Sequence, residues 1–206
     1  MSGSAPHLSF REQVHQMLRE SVLDAAWERA AKADWEDVRI SDIAKDVGVS
    51  RQTIYNEFGT KQQLAEAVFD REMQMFLAGI VEVANAADSL EEAMRKSLAW
   101  IFERAREHEL LQRMLRDARE GRSAALLPLL TTNAYLIVRP VRQVLAALYE
   151  SRWPSGLPYV ERITDVVVRL TISHVVLVSD FSEDEVIDDI VLAVTSIIRS
   201  QTHADS

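Results

Sequence analysis

The chain has 206 residues, no cysteine, only 6 Gly and 5 Pro, and a net charge of −9. The absence of cysteine excludes a disulfide framework, thiol catalysis and Cys-based zinc or iron–sulfur sites, while 48% hydrophobic and 27% charged residues describe a folded, globular chain. The first 65 residues hold 8 Lys+Arg against 10 Asp+Glu and the remainder 15 against 22, so a broad basic surface is absent; any nucleic-acid contact must come from a few placed groups and helix ends.

Sparse Gly and Pro leave little punctuation for an all-β chain, and long segments of Ala, Leu, Glu and Arg favour helices. Ser9 followed by Glu12 is a capping box, and Val14, Leu18 and Val22 recur behind it at helical spacing, which predicts a helix over about 10–33. The stretch RISDIAKDVGVSRQTIYNEF, Arg39 to Phe58, is the most informative in the chain. Ile40, Ile43, Ala44 and Val47 form one helical face, Gly48 offers a left-handed stop, and Ser50 is an N-cap for a second short helix that buries Ile54 and Phe58. Two short helices around a tight Gly-containing turn make a helix-turn-helix, with an ordinary αα-hairpin as the alternative.

Thr60 to Gln63 is a second capping box and predicts a helix to about residue 84. Ser89 opens a helix over about 89–107, and a shorter one is expected over 109–119, stopped by Gly121. From Ser123 to Trp153 an interrupted apolar helix contains Pro140, which predicts a kink around Leu136 to Pro140. Residues 154–158 read as a loop, and two final helices are expected over about 158–180 and 183–201, the last behind a Ser182 to Glu185 capping box. These final helices are apolar nearly all round, which marks burial on several sides. The acidic cluster Glu183, Asp184, Glu185, Asp188 and Asp189 fits a solvated helix start better than a metal site.

The run IAKDVGVSRQTIYNEFGTKQQL, Ile43 to Leu64, resembles the DNA-binding region of the tetracycline-repressor (TetR) family, through Ile43-Ala44, Gly48-Val49-Ser50, Ile54-Tyr55, Phe58, Lys61 and Leu64. The resemblance spans roughly residues 10–69 and implies an all-α fold of nine to ten helices. An N-terminal three-helix helix-turn-helix domain, residues 9–60, would precede a C-terminal helical ligand-binding and dimerisation domain, residues 61–206. It implies a ligand-responsive transcriptional regulator, a repressor, that binds a palindromic operator in double-stranded DNA as a homodimer through the final two helices. Two positions depart from the family pattern. Arg39 stands where a capping Thr or Ser is usual, with Ser41 as a substitute in the first turn. Glu57 stands where His is common; a carboxylate there opposes phosphate, so it is expected to turn away or pair with a nearby cation.

Arg51 and Gln52 lie at the exposed start of the recognition helix, where Arg matches guanine and Gln matches adenine in bidentate fashion. Thr53 suits a thymine methyl or a phosphate, and Asn56 shares the same short helix. The resemblance assigns Tyr55 and Lys61 to the DNA backbone. Arg39 can reach phosphate, and helix starts near Ser50 and Thr60 offer amides to it. An effector cavity is expected among Trp100, Ile101, Phe102, Met114, Leu115, Leu126, Leu127, Leu130, Tyr135 and Leu136, with Asn133, Arg139 and His174 as sparse polar groups. That lining points to a hydrophobic or fatty-acid-like effector.

Rival classes find less support. None of the five histidines forms a metal-spaced pair, and there is no phosphate-binding glycine loop or nucleophile elbow, so an enzyme is not expected and no cofactor is implied. A helical protein-interaction scaffold differs from a DNA reader in salt dependence. No segment reads as a membrane span, because the most apolar, Asp165 to Asp180, is short and carries Arg169 and His174. The opening residues lack a signal-peptide layout, and a cytoplasmic location is expected.

Overall fold

A computed structural model describes residues 9–120, 135–153, 160–177 and 179–202, with the side chains of 118, 119 and 200–202 left aside. The described residues form nine α-helices and no strand. The chain divides between Gln74 and Met75 into two compact units.

The first unit is built on α1 (Phe10–Lys32), α2 (Ile40–Val47), α3 (Arg51–Phe58) and the start of α4 (Lys61–Asn85). Ser9 closes the α1 capping box: Glu12 N–H donates to Ser9 Oγ at 3.3 Å and Ser9 N–H to Glu12 Oε2 at 2.7 Å. Four orphan amides begin every helix, and the box satisfies two of them, those of Ser9 and Glu12, from within the chain. Thr60 and Gln63 do the same for α4, with bonds of 2.9 and 3.1 Å. The helix-turn-helix closes at Gly48, whose φ of 78° a side chain would strain. Behind it the Val49 amide donates to the Ala44 carbonyl at 2.9 Å.

Ile43, Ile54, Phe58 and Leu64 meet Val22, Leu23 and Ala26 in one buried cluster. Leu64 is 0% exposed and Val68 joins the same cluster. The first two turns of α4 therefore pack as part of this unit, and the compact division falls at residue 74 instead of at the Thr60 cap. Burial decides that boundary: a helix that contributes to a core stays with it, whatever its cap suggests.

The second unit contains the rest of α4 with α5 (Leu90–Glu107), α6 (Glu109–Arg119), α7 (Tyr135–Arg152), α8 (Val160–Val176) and α9 (Glu183–Thr202). In it α7 packs on α8, α9 packs on α5 and α8, and α6 adjoins α5. The α9 capping box forms at Ser182 and Glu185. Its acidic start is held by arginines of α5, through the pairs Arg95–Asp188 and Arg106–Glu183. No group of side chains among the described residues could hold a metal ion. Buried Thr164 and Thr171 satisfy their hydroxyls on the carbonyls of Val160 and Val167, 2.7 and 2.8 Å away.

Two cations grip the C-terminal end of α4. The Arg152 guanidinium donates to the carbonyls of Asn85 and Ala87, each at 2.8 Å, and Lys96 Nζ to Ala86 at 3.1 Å. These carbonyls have no partner inside the helix, and a positive charge there complements the macrodipole. One turn and a half earlier, Gly79 lies directly against the Trp100 indole, so that any Cβ would overlap the ring. A glycine inside a helix costs about 1 kcal/mol against alanine, and here it is explained by that close approach. Phe76 completes the contact, its ring centroid 5.5 Å from that of Trp100.

Pro140 lies inside α7, and the helix continues through it from Tyr135 to Arg152. Gly121, the Ser123–Ala134 part of the expected interrupted helix, and the loop over 154–158 lie outside the described residues. Among the described residues no helix is long and apolar enough to cross a membrane.

Candidate nucleic-acid interface

The recognition helix α3 is two turns long, and its two faces have separate tasks. Ile54 and Phe58, four residues apart, are buried in the core of the first unit. Arg51, Gln52, Tyr55 and Asn56 are exposed on the other side. Ser50 caps the helix, accepting from the Thr53 amide at 3.0 Å while its hydroxyl also meets Thr53 Oγ1 at 2.8 Å. Gln52 Nε2 donates to Asn56 Oδ1 at 2.8 Å, which sets both amides in register along the exposed face. Tyr55 is 43% exposed and is a surface tyrosine, not a core one. The side chains expected to read DNA thus share one exposed side of α3, with Arg51 at its N-terminal end.

Arg39 occupies the cap of α2 in extended conformation and makes no side-chain capping bond, and no other side chain caps that helix. The substitute expected at Ser41 does not form. The Asp42 amide, which a capping side chain would serve, instead donates to the Arg39 carbonyl at 3.0 Å. Arg39 remains exposed.

Lys61 is placed differently from a free phosphate ligand. Its Nζ donates to the Glu36 carbonyl at 2.8 Å and stands 5.7 Å from the Trp35 ring centroid. The lysine thereby ties the α1–α2 connection to the start of α4. A second tie joins α1 to α2: Arg29 grips Asp46 with bonds of 2.6 and 2.8 Å. That hydrogen bond holds the Asp46 carboxyl below the ordinary carboxylate range.

Glu57 pairs with the cation Arg19 and lies against His15. Its Oε2 lies 2.5 Å from His15 Nε2, and its Oε1 accepts from Arg19 at 3.0 Å. Sequence reasoning expected a cation but did not name these two. The available signal was the four-residue spacing of His15 and Arg19 on one face of α1.

The residues expected to bind an effector are less well gathered. Leu115 is buried and Trp100, Ile101, Met114 and His174 are half-buried. Leu136 is 41% exposed, and Arg139 and Tyr135 are also on the surface. Leu126, Leu127, Leu130 and Asn133 lie outside the described residues. A separate cleft of about 360 Å³ lies between α1 and α4 in the first unit. Its Arg71 is engaged with Asp24 and Glu20 at 2.7 and 3.4 Å, which fits an ion-pair network better than an apolar ligand.

Comparison with known proteins agrees with this geometry. The family model for bacterial regulatory proteins of the tetR family matches residues 22–68, and the model for the bacterial tetracyclin repressor C-terminal domain matches residues 89–196. The chain is 28% identical over 186 residues to the HTH-type transcriptional regulator AlkX of Mycobacterium tuberculosis, covering 88% of this chain and 85% of that one. Among solved structures, it resembles the TetR family repressor AlkX from Dietzia sp. strain DQ12-45-1b, implicated in biodegradation of n-alkanes, with a TM-score of 0.66, 23% identity, and coverage of 88% of this chain and 95% of that one. It also resembles the fatty acid degradation regulator FadR from Bacillus halodurans, with a TM-score of 0.58, 18% identity, and coverage of 86% and 94%. Its helix-turn-helix, its all-α fold and family matches that cover both units place the chain in the tetracycline-repressor family of transcriptional regulators, which bind DNA and respond to ligands and are not enzymes.

Proposed function

We propose that the chain is a repressor that binds a palindromic operator as a homodimer and is released by a hydrophobic or fatty-acid-like effector. The observation that carries the DNA reading is the exposed face of α3, with Arg51, Gln52, Tyr55 and Asn56 on a helix held rigidly by Ile54 and Phe58. Arg51 and Gln52 read base edges in the major groove. Thr53, Tyr55 and Arg39 contact phosphate, as does the capped helix start at Ser50, and Lys61 does so by exchanging the Glu36 carbonyl for a phosphate oxygen.

The homodimer reading is supported by α8 and α9. Their inner residues pack within the unit, yet Val166, Leu177 and Leu192 remain exposed, the last at 61%. Apolar side chains left exposed on or beside two adjacent helices suit a second copy of the same surface. Two recognition helices held one turn of DNA apart, about 35 Å, would meet successive major grooves. The reading places the protein in the cytoplasm, where its operator is.

The effector reading rests on Trp100, Ile101, Met114 and Leu115, joined by Leu127, Leu130 and Leu136, with Asn133, Arg139 or His174 toward a polar head. The relatives named for n-alkane and fatty acid degradation favour the same chemistry. Since α4 carries both Leu64 of the first core and Ile80 of the second unit, a displacement of it couples effector to DNA. The effector must bind the released state more tightly, and a coupling of about 1–3 kcal/mol is typical.

Selection of bound fragments from a random DNA pool, followed by a salt series on the best duplex, tests the reading. A palindromic motif whose affinity falls steeply with salt is the expected result. No enriched motif from folded, dimeric protein, before and after extraction of bound hydrophobic ligand, would refute it.

A further inference from the structure

The recognition helix carries a negative charge where it can least use one. Glu57 lies four residues beyond Thr53 on the same flank of α3, one turn from the residue proposed to meet phosphate. The first 65 residues hold 8 Lys+Arg against 10 Asp+Glu, so the DNA-binding unit has little positive charge to spare against a free carboxylate. A charge within about 8 Å of phosphates is only weakly screened at physiological salt.

The structure withdraws that carboxylate. The Glu57 side chain is 14% exposed, with His15 Nε2 2.5 Å from one oxygen and Arg19 donating to the other at 3.0 Å. Arg19 is itself held, its guanidinium carbon 4.6 Å from the ring centroid of Phe58. Phe58 is part of the buried core, so the core fixes the guanidinium and the guanidinium fixes the carboxylate. Both partners come from α1, which contributes no residue to the proposed reading face.

We infer that His15 and Arg19 are positioning residues for DNA binding: the Arg19 guanidinium neutralises Glu57, and the two together hold it against α1, so that α3 meets the phosphates without its negative charge. The inference rests on the DNA-binding reading above. It differs sharply from a direct phosphate contact by Arg19, because the two roles predict opposite behaviour when Glu57 is changed as well. If Arg19 acts through Glu57, removing the charge of Glu57 makes Arg19 dispensable. If Arg19 touches phosphate, removing that charge leaves its loss uncorrected.

The test measures affinity by fluorescence anisotropy, over a salt series, for a labelled duplex carrying the sequence best bound by the unaltered chain in the pool selection. Arg19→Ala is expected to weaken binding about tenfold by leaving an unpaired carboxylate near phosphate. Glu57→Gln, of the same shape without the charge, is expected to stay within about threefold of the unaltered chain, and the double variant Arg19→Ala/Glu57→Gln to return to the same range. His15→Gln serves as the milder variant should Arg19→Ala lower the unfolding midpoint, and its weaker binding should likewise vanish beside Glu57→Gln. A double variant as weak as Arg19→Ala, with a salt slope reduced by about 0.9, would mean a direct phosphate contact and overturn the inference. Undiminished binding by folded Arg19→Ala overturns it too. Failure of the unaltered chain to bind any duplex overturns the DNA-binding reading beneath it, and this inference with it.

Discussion

The two units of this chain differ in how complete they are on their own. In the first, apolar side chains from α1, α2, α3 and the start of α4 close around one core; Gly48 and Ser50 finish the turn of the helix-turn-helix and Gly59 its far end. What it leaves exposed on α3 is polar: Arg51, Gln52 and Asn56 with the tyrosine Tyr55. The second unit leaves leucine and valine outside. Val166, Leu177 and Leu192 are exposed on or beside its last two helices while neighbours such as Val167 and Val191 are buried. A surface that is polar by design can meet DNA through water and salt, whereas apolar residues left out gain stability only against another apolar surface. The exposed side of α3 and that of the last two helices are thus finished differently, and under the proposed reading each suits its own kind of partner.

Substitutions can break that contrast, and the largest effect should come from the core of the first unit. Leu64→Ala removes a fully buried side chain and is expected to cost about 2–5 kcal/mol of that unit's stability. Hydrogen exchange should show the loss over residues 10–68 and spare α8 and α9; uniform deprotection would mean that the two units unfold as one. Leu192→Glu should act in the opposite region. A carboxylate in an apolar dimer seam is expected to weaken self-association by about 2 kcal/mol or more, read by sedimentation, with the first unit's hydrogen exchange unchanged. An unaltered association constant would place the dimer seam elsewhere.

Smaller changes sharpen the comparison within the DNA-binding unit. Arg51→Ala leaves folding intact because the side chain is exposed, and is expected to cost about 1–3 kcal/mol of operator affinity while relaxing base preference at one position of each half-site. Competition with single-base variants of the operator checks this, and retained preference at every position would remove Arg51 from base reading. Ser50→Ala deletes the cap of α3 and is expected to cost about 1 kcal/mol of stability. Denaturant melts would show it as a shifted midpoint with an unchanged slope.

Much of the fold was legible because its signals are local. The boxes at Ser9, Thr60 and Ser182 each need only the residue three positions on, and Gly48 needs only the end of the helix before it. The exposed face of α3 followed in the same way from the two buried positions Ile54 and Phe58. What escaped was set by distance along the chain. That Glu57 needed a cation was readable from its charge, but its partner Arg19 lies 38 residues away, and only the packing of α1 on α3 selects it. Lys61 finds the Glu36 carbonyl 25 residues back for the same reason. The expected boundary at residue 60 came from a cap, which reports where a helix starts and carries no information on which core it joins; the compact division falls at Gln74. Leu136 and Arg139 were grouped with Leu115 by composition, which carries no information on exposure; α7 leaves both of them on the surface while α6 buries Leu115.

The grip of Arg152 and Lys96 on the end of α4 has a mechanical consequence. A helix of 25 residues is about 37 Å long. With its last carbonyls held by Arg152 and Lys96, α4 cannot fray at its C-terminal end without giving up those bonds. Helix ends ordinarily open first, so the unwinding of α4 has to begin elsewhere, and its amides should resist exchange right through the last turn.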